Sequence, residues 1–171
     1  MSDQSLASQT AEWIVAQLAA IEWFTADKKG DVSLYRGSLR VDGERVLEEF
    51  LGATRNVSAR VVFTGHRAES LEEGQARYEA TYSIMLAVIN KRPGAALWGE
   101  THGGAEPETQ PGLCLLRDVI RNALHDQAPG KTANGFHADR CAMGDLGLVF
   151  ERRDAMLFQV DVIVIESPAA G

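Results

Sequence analysis

Arg77-Tyr78-Glu79-Ala80-Thr81-Tyr82-Ser83-Ile84-Met85-Leu86-Ala87-Val88-Ile89-Asn90-Lys91 is the stretch that decides the fold. Its even positions, from Tyr78 to Val88, are all apolar or aromatic. Its odd positions begin polar, with Arg77, Glu79, Thr81 and Ser83, and turn apolar at Met85, Ala87 and Ile89. Alternation of this kind gives a strand one buried face. Its loss after Ser83 predicts a second half covered on both faces. So long a strand needs strand partners and a covering layer.

Those partners are found on either side. Residues 57–65 read as a strand with Val57, Ala59, Val61 and Phe63 on one face, followed by a polar loop at 66–75. Downstream, residues 146–153 and 156–166 read as two strands joined at Asp154 and Ala155, with Met156, Phe158, Val160, Val162 and Val164 sharing a face. Helical spacing places helices at 8–24 (Ile14, Leu18, Ile21), at 44–53 and at 112–127 (Leu116, Ile120, Leu124). Residues 31–41 fit either a short strand or an irregular segment. Glycines and prolines predict flexible loops at 93–111 and 131–145. Two hairpins separated by a helix favour an α+β fold, a mainly antiparallel four-stranded sheet with helices packed on one face. The 171 residues fit a single domain with an ordered core over 8–166.

The formal net charge is −7 and the isoelectric point is about 5.1. An acidic surface argues against wrapping a nucleic-acid duplex, because phosphate neutralisation supplies most non-specific affinity. The start, Met-Ser-Asp-Gln-Ser, has neither a basic nor an apolar targeting segment, and no apolar run approaches a membrane span, so a cytoplasmic protein with no membrane partner is expected. The two cysteines, Cys114 and Cys141, form no disulfide framework.

Chemistry-bearing motifs are scarce. Gly130-Lys131-Thr132 resembles the end of a phosphate-binding loop, but His125 stands where that loop needs its first glycine, and a helix precedes it. His137 and Cys141 have the spacing of two helical metal ligands, but glycines make their segment read as a loop. Nucleophile elbows and dinucleotide fingerprints are absent. Trp98 stands in the polar 93–111 loop and either tucks back onto the domain or anchors a partner. Arg60, Arg67, Arg77, Arg92, Arg152 and Arg153 fall near strand positions or strand ends, as a solvated face or as complementarity to a protein partner.

Taken in order, the elements resemble the tail-terminator (tail-completion) proteins of tailed bacteriophages, in the variety found in Mu-like prophages. The resemblance spans residues 12–166. It is carried by the amphipathic helix from Trp13 to Phe24, by Val61-Val62-Phe63-Thr64-Gly65-His66-Arg67 and by the strand from Tyr78 to Val88. The helix from Leu116 to Leu124 and the closing strands 146–151 and 157–165 complete it. The resemblance implies a structural role. Such proteins form a ring, commonly a hexamer, on the head-proximal end of the tail tube, halt its polymerisation and offer the head-joining surface. It implies no catalysis and no cofactor. The implied partners are the chain itself, the tail tube protein and the head–tail connector proteins. The implied location is the host cytoplasm during assembly, then the virion tail. Arg77, Glu79, Trp98 and Lys131 are the candidate assembly contacts, with the polar start of the central strand turned toward a neighbouring subunit or the tube channel. The competing reading is a small cytoplasmic enzyme or ligand-binding domain with a pocket near the 93–111 loop, lined by Tyr78, Arg92 and His102. A nucleic-acid-associated morphogenesis factor is a third reading, disfavoured by the charge.

Overall fold

A computed structural model describes residues 4–35, 56–72, 76–89, 95–101, 108–152 and 155–170. Helix α1 (Leu6–Ala19) begins at Ser5, whose side chain accepts a hydrogen bond from the Ser8 amide at 3.1 Å. Two short 3-10 turns, Glu22–Phe24 and Ala26–Lys28, replace the last turns of the helix expected to reach residue 24. They lead into strand β1 (Gly30–Leu34). Gly30 is needed there, since a Cβ would stand 2.0 Å from the Trp23 carbonyl oxygen. The expected helix at 44–53 lies outside the described residues.

Strands β2 (Val57–Ser70) and β3 (Arg77–Ile89) form the first long hairpin. A single helical turn, α2 (Ala95–Trp98), a two-stranded ribbon of β4 (Glu100–Thr101) and β5 (Glu108–Gln110), and helix α3 (Leu113–Leu124) follow. The chain closes with β6 (Thr132–Ala133), β7 (Phe136–Arg152) and β8 (Ala155–Pro168).

The main sheet has six strands in the order β1-β2-β3-β8-β7-β6. β1 runs parallel to β2, and the other pairs are antiparallel. The expected four-stranded antiparallel sheet with a layer of helices is therefore corrected to a mixed, curled six-stranded sheet, a half-barrel in which strands dominate and helices are few. Two misread segments account for much of the difference. Residues 66–70, read as loop, continue β2, and residues 131–145, also read as loop, contain β6 and much of β7. The ambiguous start of 31–41 belongs to β1 through Leu34, and the rest of it, from 36 on, lies outside the described residues.

The curl has an identifiable source. β3 and β8 pair without a register shift from Tyr78↔Glu166 to Ile89↔Ala155. The strands on either side of them do not stay in register. β7 uses 17 residues against the 14 of β8, and the extra residues fall at shifts between Ala138 and Arg140, Met143 and Leu146, and Leu148 and Phe150. β2 shifts between Phe63 and Gly65 and between Ala68 and Ser70. Each bulge bends its strand and raises the local twist, so both flanks of a straight central pair turn inward.

The even positions of β3 and β8 face the main core. Ile84, Leu86, Val160 and Val162 are fully buried with Ile14 and Leu18 of α1 and Leu116, Ile120 and Leu124 of α3. Burying a side chain of this size contributes roughly 1.5–3 kcal/mol. On the other face Met85, Ala87 and Leu157 are also buried, packed with Tyr35, Ile89 and Phe150. The second half of β3 is thus enclosed on both sides, matching its loss of alternation.

Candidate functional site: an aromatic mouth and a bulged strand edge

The core face of the sheet is not closed along its whole length. Toward the β2–β3 turn it carries a row of rings. Phe63 meets Tyr82 edge-on at 5.4 Å and His66 at 6.4 Å. His66 meets Tyr78 at 5.6 Å, and Tyr78 meets Phe136 at 5.6 Å. The bulge before Gly65 restores His66 to the core face after Phe63, and Gly65 takes a φ of +145° in that kink. Tyr78 and Phe136 belong to strands separated by β8, which normally places backbones about 10 Å apart, so the two rings lean toward each other across β8. Phe63 is 37% exposed, His66 is exposed, and Tyr78 and Phe136 are half-buried.

Glu166 lies directly opposite Tyr78 on β8, beneath this row. It is half-buried, and burial pushes its carboxyl above the ordinary range, with the His66 imidazole acting in the opposite direction. Deeper in, Tyr82 is fully buried. Burial holds its phenol well above the usual value, against the effect of the Thr10 hydroxyl beside it. Neither hydroxyl reaches a hydrogen-bond partner among the described residues.

The second feature is the outer edge of β7. Its first half is paired to the segment after α3. The Gly130 amide donates to the Ala138 carbonyl at 3.1 Å, and the Ala138 amide donates to the Lys131 carbonyl at 2.9 Å. Asp126 and Gln127 make the same exchange with Cys141, at 2.9 and 2.8 Å, and the Met143 amide donates to His125 Nδ1 at 3.4 Å. Ala138, Cys141 and Met143 lie opposite Glu166, Val164 and Val162 of β8. Continuing that alternation turns the backbone groups of Leu146 and Leu148, opposite Val160 and Phe158, toward the same edge. Past Met143, over residues 144–151, no backbone pairing on that edge occurs among the described residues. Leu148 is 54% and Val149 39% exposed there.

The four candidate contact residues do not form one patch. Arg77 and Glu79 share the outer face of β3, and each meets an opposite charge on β2: Arg77 with Glu69 at 3.8 Å and Glu79 with Arg67 at 2.6 Å. Below them Ser83 donates to Asp161 at 3.0 Å and Gln159 donates to both. Trp98 is 68% exposed, which overturns the tucked-in alternative. The Trp98–Gly99 backbone lies against Gly112, beside a cleft of about 160 Å³ that Trp23, Lys29, Asn56 and Pro111 help to line. That cleft sits where β2 begins, at the far end of β3 from Arg77 and Tyr78. Lys131 is half-buried beside β7, with its carbonyl engaged by Ala138. Arg92 and His102 of the alternative pocket lie outside the described residues, and Tyr78 stands at the end of the sheet opposite Trp98.

The motifs set aside in the sequence have structural roles. Gly130-Lys131 pairs with β7, so its backbone groups are engaged by strand pairing. His137 and Cys141 lie on β7 opposite Ser167 and Val164, which face opposite sides of β8. Among the described residues no group of three or more His, Cys, Asp or Glu could hold a metal ion. The Cys141 thiol is buried, donates to the Leu124 carbonyl at 2.7 Å and is pushed up to about 11 by burial, so it is a core thiol. No described helix is long and apolar enough to cross a membrane.

Glu166, His66, Phe136, Leu148 and Val149 were not singled out by sequence reasoning. A signal existed for Glu166, which ends an otherwise apolar alternating face at its last position. No family model matches the chain, and no curated protein matches it significantly.

Proposed function

We propose that the chain is a structural protein that works by contact with copies of itself and with other proteins, in the role its sequence resembles: a ring that terminates the tube of a phage tail and receives the head. The observation that carries the contact reading is the edge of β7 over residues 144–151, unpaired among the described residues and bearing exposed Leu148 and Val149. An open edge with apolar side chains is a template for another strand, and monomers blunt such edges.

The topology adds support. β1 is parallel to β2, while β7 is antiparallel to β8, which places the two edges of the sheet in opposite directions. The β7 edge of one copy would meet the β1 edge of the next as an antiparallel ladder. Such a contact is head-to-tail, and it closes into a ring when the rotation per copy allows. Trp98 offers a second exposed anchor. The tail role itself rests on the order of elements and on the sequence stretches named above. In that role the partners are the tube protein and the head–tail connector proteins, and no cofactor is involved.

Native mass spectrometry with and without tail tube protein tests this reading. Rings or tube-bound complexes are expected, and Leu148→Lys should remain a folded monomer that forms neither. A wild-type chain that is strictly monomeric and ignores the tube, or an L148K chain that assembles like wild type, would overturn it.

A further inference from the structure

A carboxylate withdrawn from water normally has a partner, because an unpaired buried charge is costly. Glu166 has none among the described residues: no lysine or arginine reaches ion-pair distance, and no hydrogen bond closes on it. The basic group that acts on it is the imidazole of His66 on β2. Over it stands the row of His66, Tyr78 and Phe136, whose neighbours are 5.6 Å apart and whose outer members reach solvent. The mouth is therefore bordered by rings that pack edge-to-face on one another and partly reach solvent, with the half-buried Glu166 opposite Tyr78 among them.

We propose that this mouth binds an organic cation, and specifically a planar guanidinium group such as an arginine side chain presents. Three classes of occupant can be compared. An anion meets the carboxylate at close range and is repelled. A neutral apolar group covers the carboxylate without pairing it and adds to its desolvation cost. A cation gains from both the charge and the rings. Among cations, a guanidinium offers a flat face to the exposed side of one ring of the row and two parallel N–H donors to the two oxygens of Glu166, whereas a quaternary ammonium offers no donor. The assignment is independent of the tail reading, since it concerns the opposite end of β8 from the Leu148 edge and holds whether the arginine arrives on a peptide or on a folded partner.

The test is a titration of the full chain with Nα-acetylarginine amide, followed by NMR. The neutral isostere Nα-acetylcitrulline amide and tetramethylammonium are run in parallel. Saturable shifts are expected at His66, Tyr78, Phe136 and Glu166, with a dissociation constant on the order of 1–10 mM. The citrulline probe should produce none at the same concentrations. Glu166→Gln should weaken the arginine probe about tenfold or more, while Glu151→Gln, at the far end of the same face, should not. Absence of saturable shifts overturns the proposal, as does equal binding of citrulline. So does binding by E166Q that equals wild type. Equal affinity for tetramethylammonium overturns the guanidinium assignment. The comparison of arginine with citrulline is made on the unaltered protein and does not depend on the variant folding.

Discussion

The central pair, β3 with β8, and the strands that flank it, β2 and β7, are built from similar residues but serve different ends. The central pair keeps one register throughout and buries both faces of its middle. The flanking strands carry five register shifts between them and bear Phe63, Leu148 and Val149, three of the exposed large hydrophobic side chains. Regular pairing maximises packing but leaves nothing to grip. A bulge gives up some ladder regularity and in exchange bends the strand and re-aims a side chain. The contrast teaches that regular packing and exposed apolar side chains are carried by different strands of one sheet.

The largest expected effect tests that division directly. Leu86→Ala in β3 deletes a fully buried side chain and should cost about 2–5 kcal/mol in urea unfolding. Leu148→Ala in β7 should stay within about 0.5 kcal/mol, because that side chain is 54% exposed. Equal losses would erase the distinction between the two regions.

The next effect probes a bulge itself. Gly65 sits at φ +145°, in a region that L side chains rarely enter, with open space around it. Gly65→Ala should therefore cost about 1 kcal/mol or more through backbone strain alone. An unchanged urea midpoint would show that the kink is not required.

Smaller effects concern charge. Glu166 has its carboxyl raised by burial, so it holds its proton more tightly folded than unfolded. Its contribution to stability is fully present below the unfolded value and is lost as pH rises through the raised folded value. Glu166→Gln should accordingly melt higher than wild type at neutral pH, with the gap closing as pH falls. Asp126 works with the opposite sign. The Arg140 guanidinium hydrogen-bonded to it pulls its carboxyl down, so its contribution is present above the unfolded value and is lost as pH falls through the folded one. That pair is exposed, so Asp126→Asn should flatten the acid limb of the stability curve only slightly.

The same contrast explains what could be read from the sequence. β3 and β8 were legible because their apolar positions recur every second residue, from Tyr78 to Val88 and from Met156 to Val164. β7 was not. Its core-facing residues are Phe136, Ala138, Cys141, Met143, Leu146 and Leu148, whose steps alternate between two and three because each bulge inserts a residue. A search for period two breaks at each bulge, and Gly135 and Gly144 then read as loop signals. β1 was hard to read for another reason: a five-residue edge strand parallel to β2 has no hairpin turn to announce it. The mouth was hidden because its members come from four different strands, and only the curl brings His66, Tyr78, Phe136 and Glu166 together. Arg77 and Glu79 were placed correctly on one face of β3, but their cross-strand partners depended on a register shifted by bulges.

The central claim is that β3–β8 holds the protein together while the bulged edge of β7 is where another chain attaches. Amide hydrogen exchange, measured residue by residue at low and high protein concentration and with tube protein added, tests it most directly. The account predicts that the amides of Ile84, Leu86 and Val160 exchange only through global unfolding in every condition. Those of Leu146 and Leu148 should exchange fast in the isolated chain and become protected at least about tenfold on assembly. Leu146 and Leu148 amides as protected as the core in the isolated chain, or unchanged when complexes form, would contradict it.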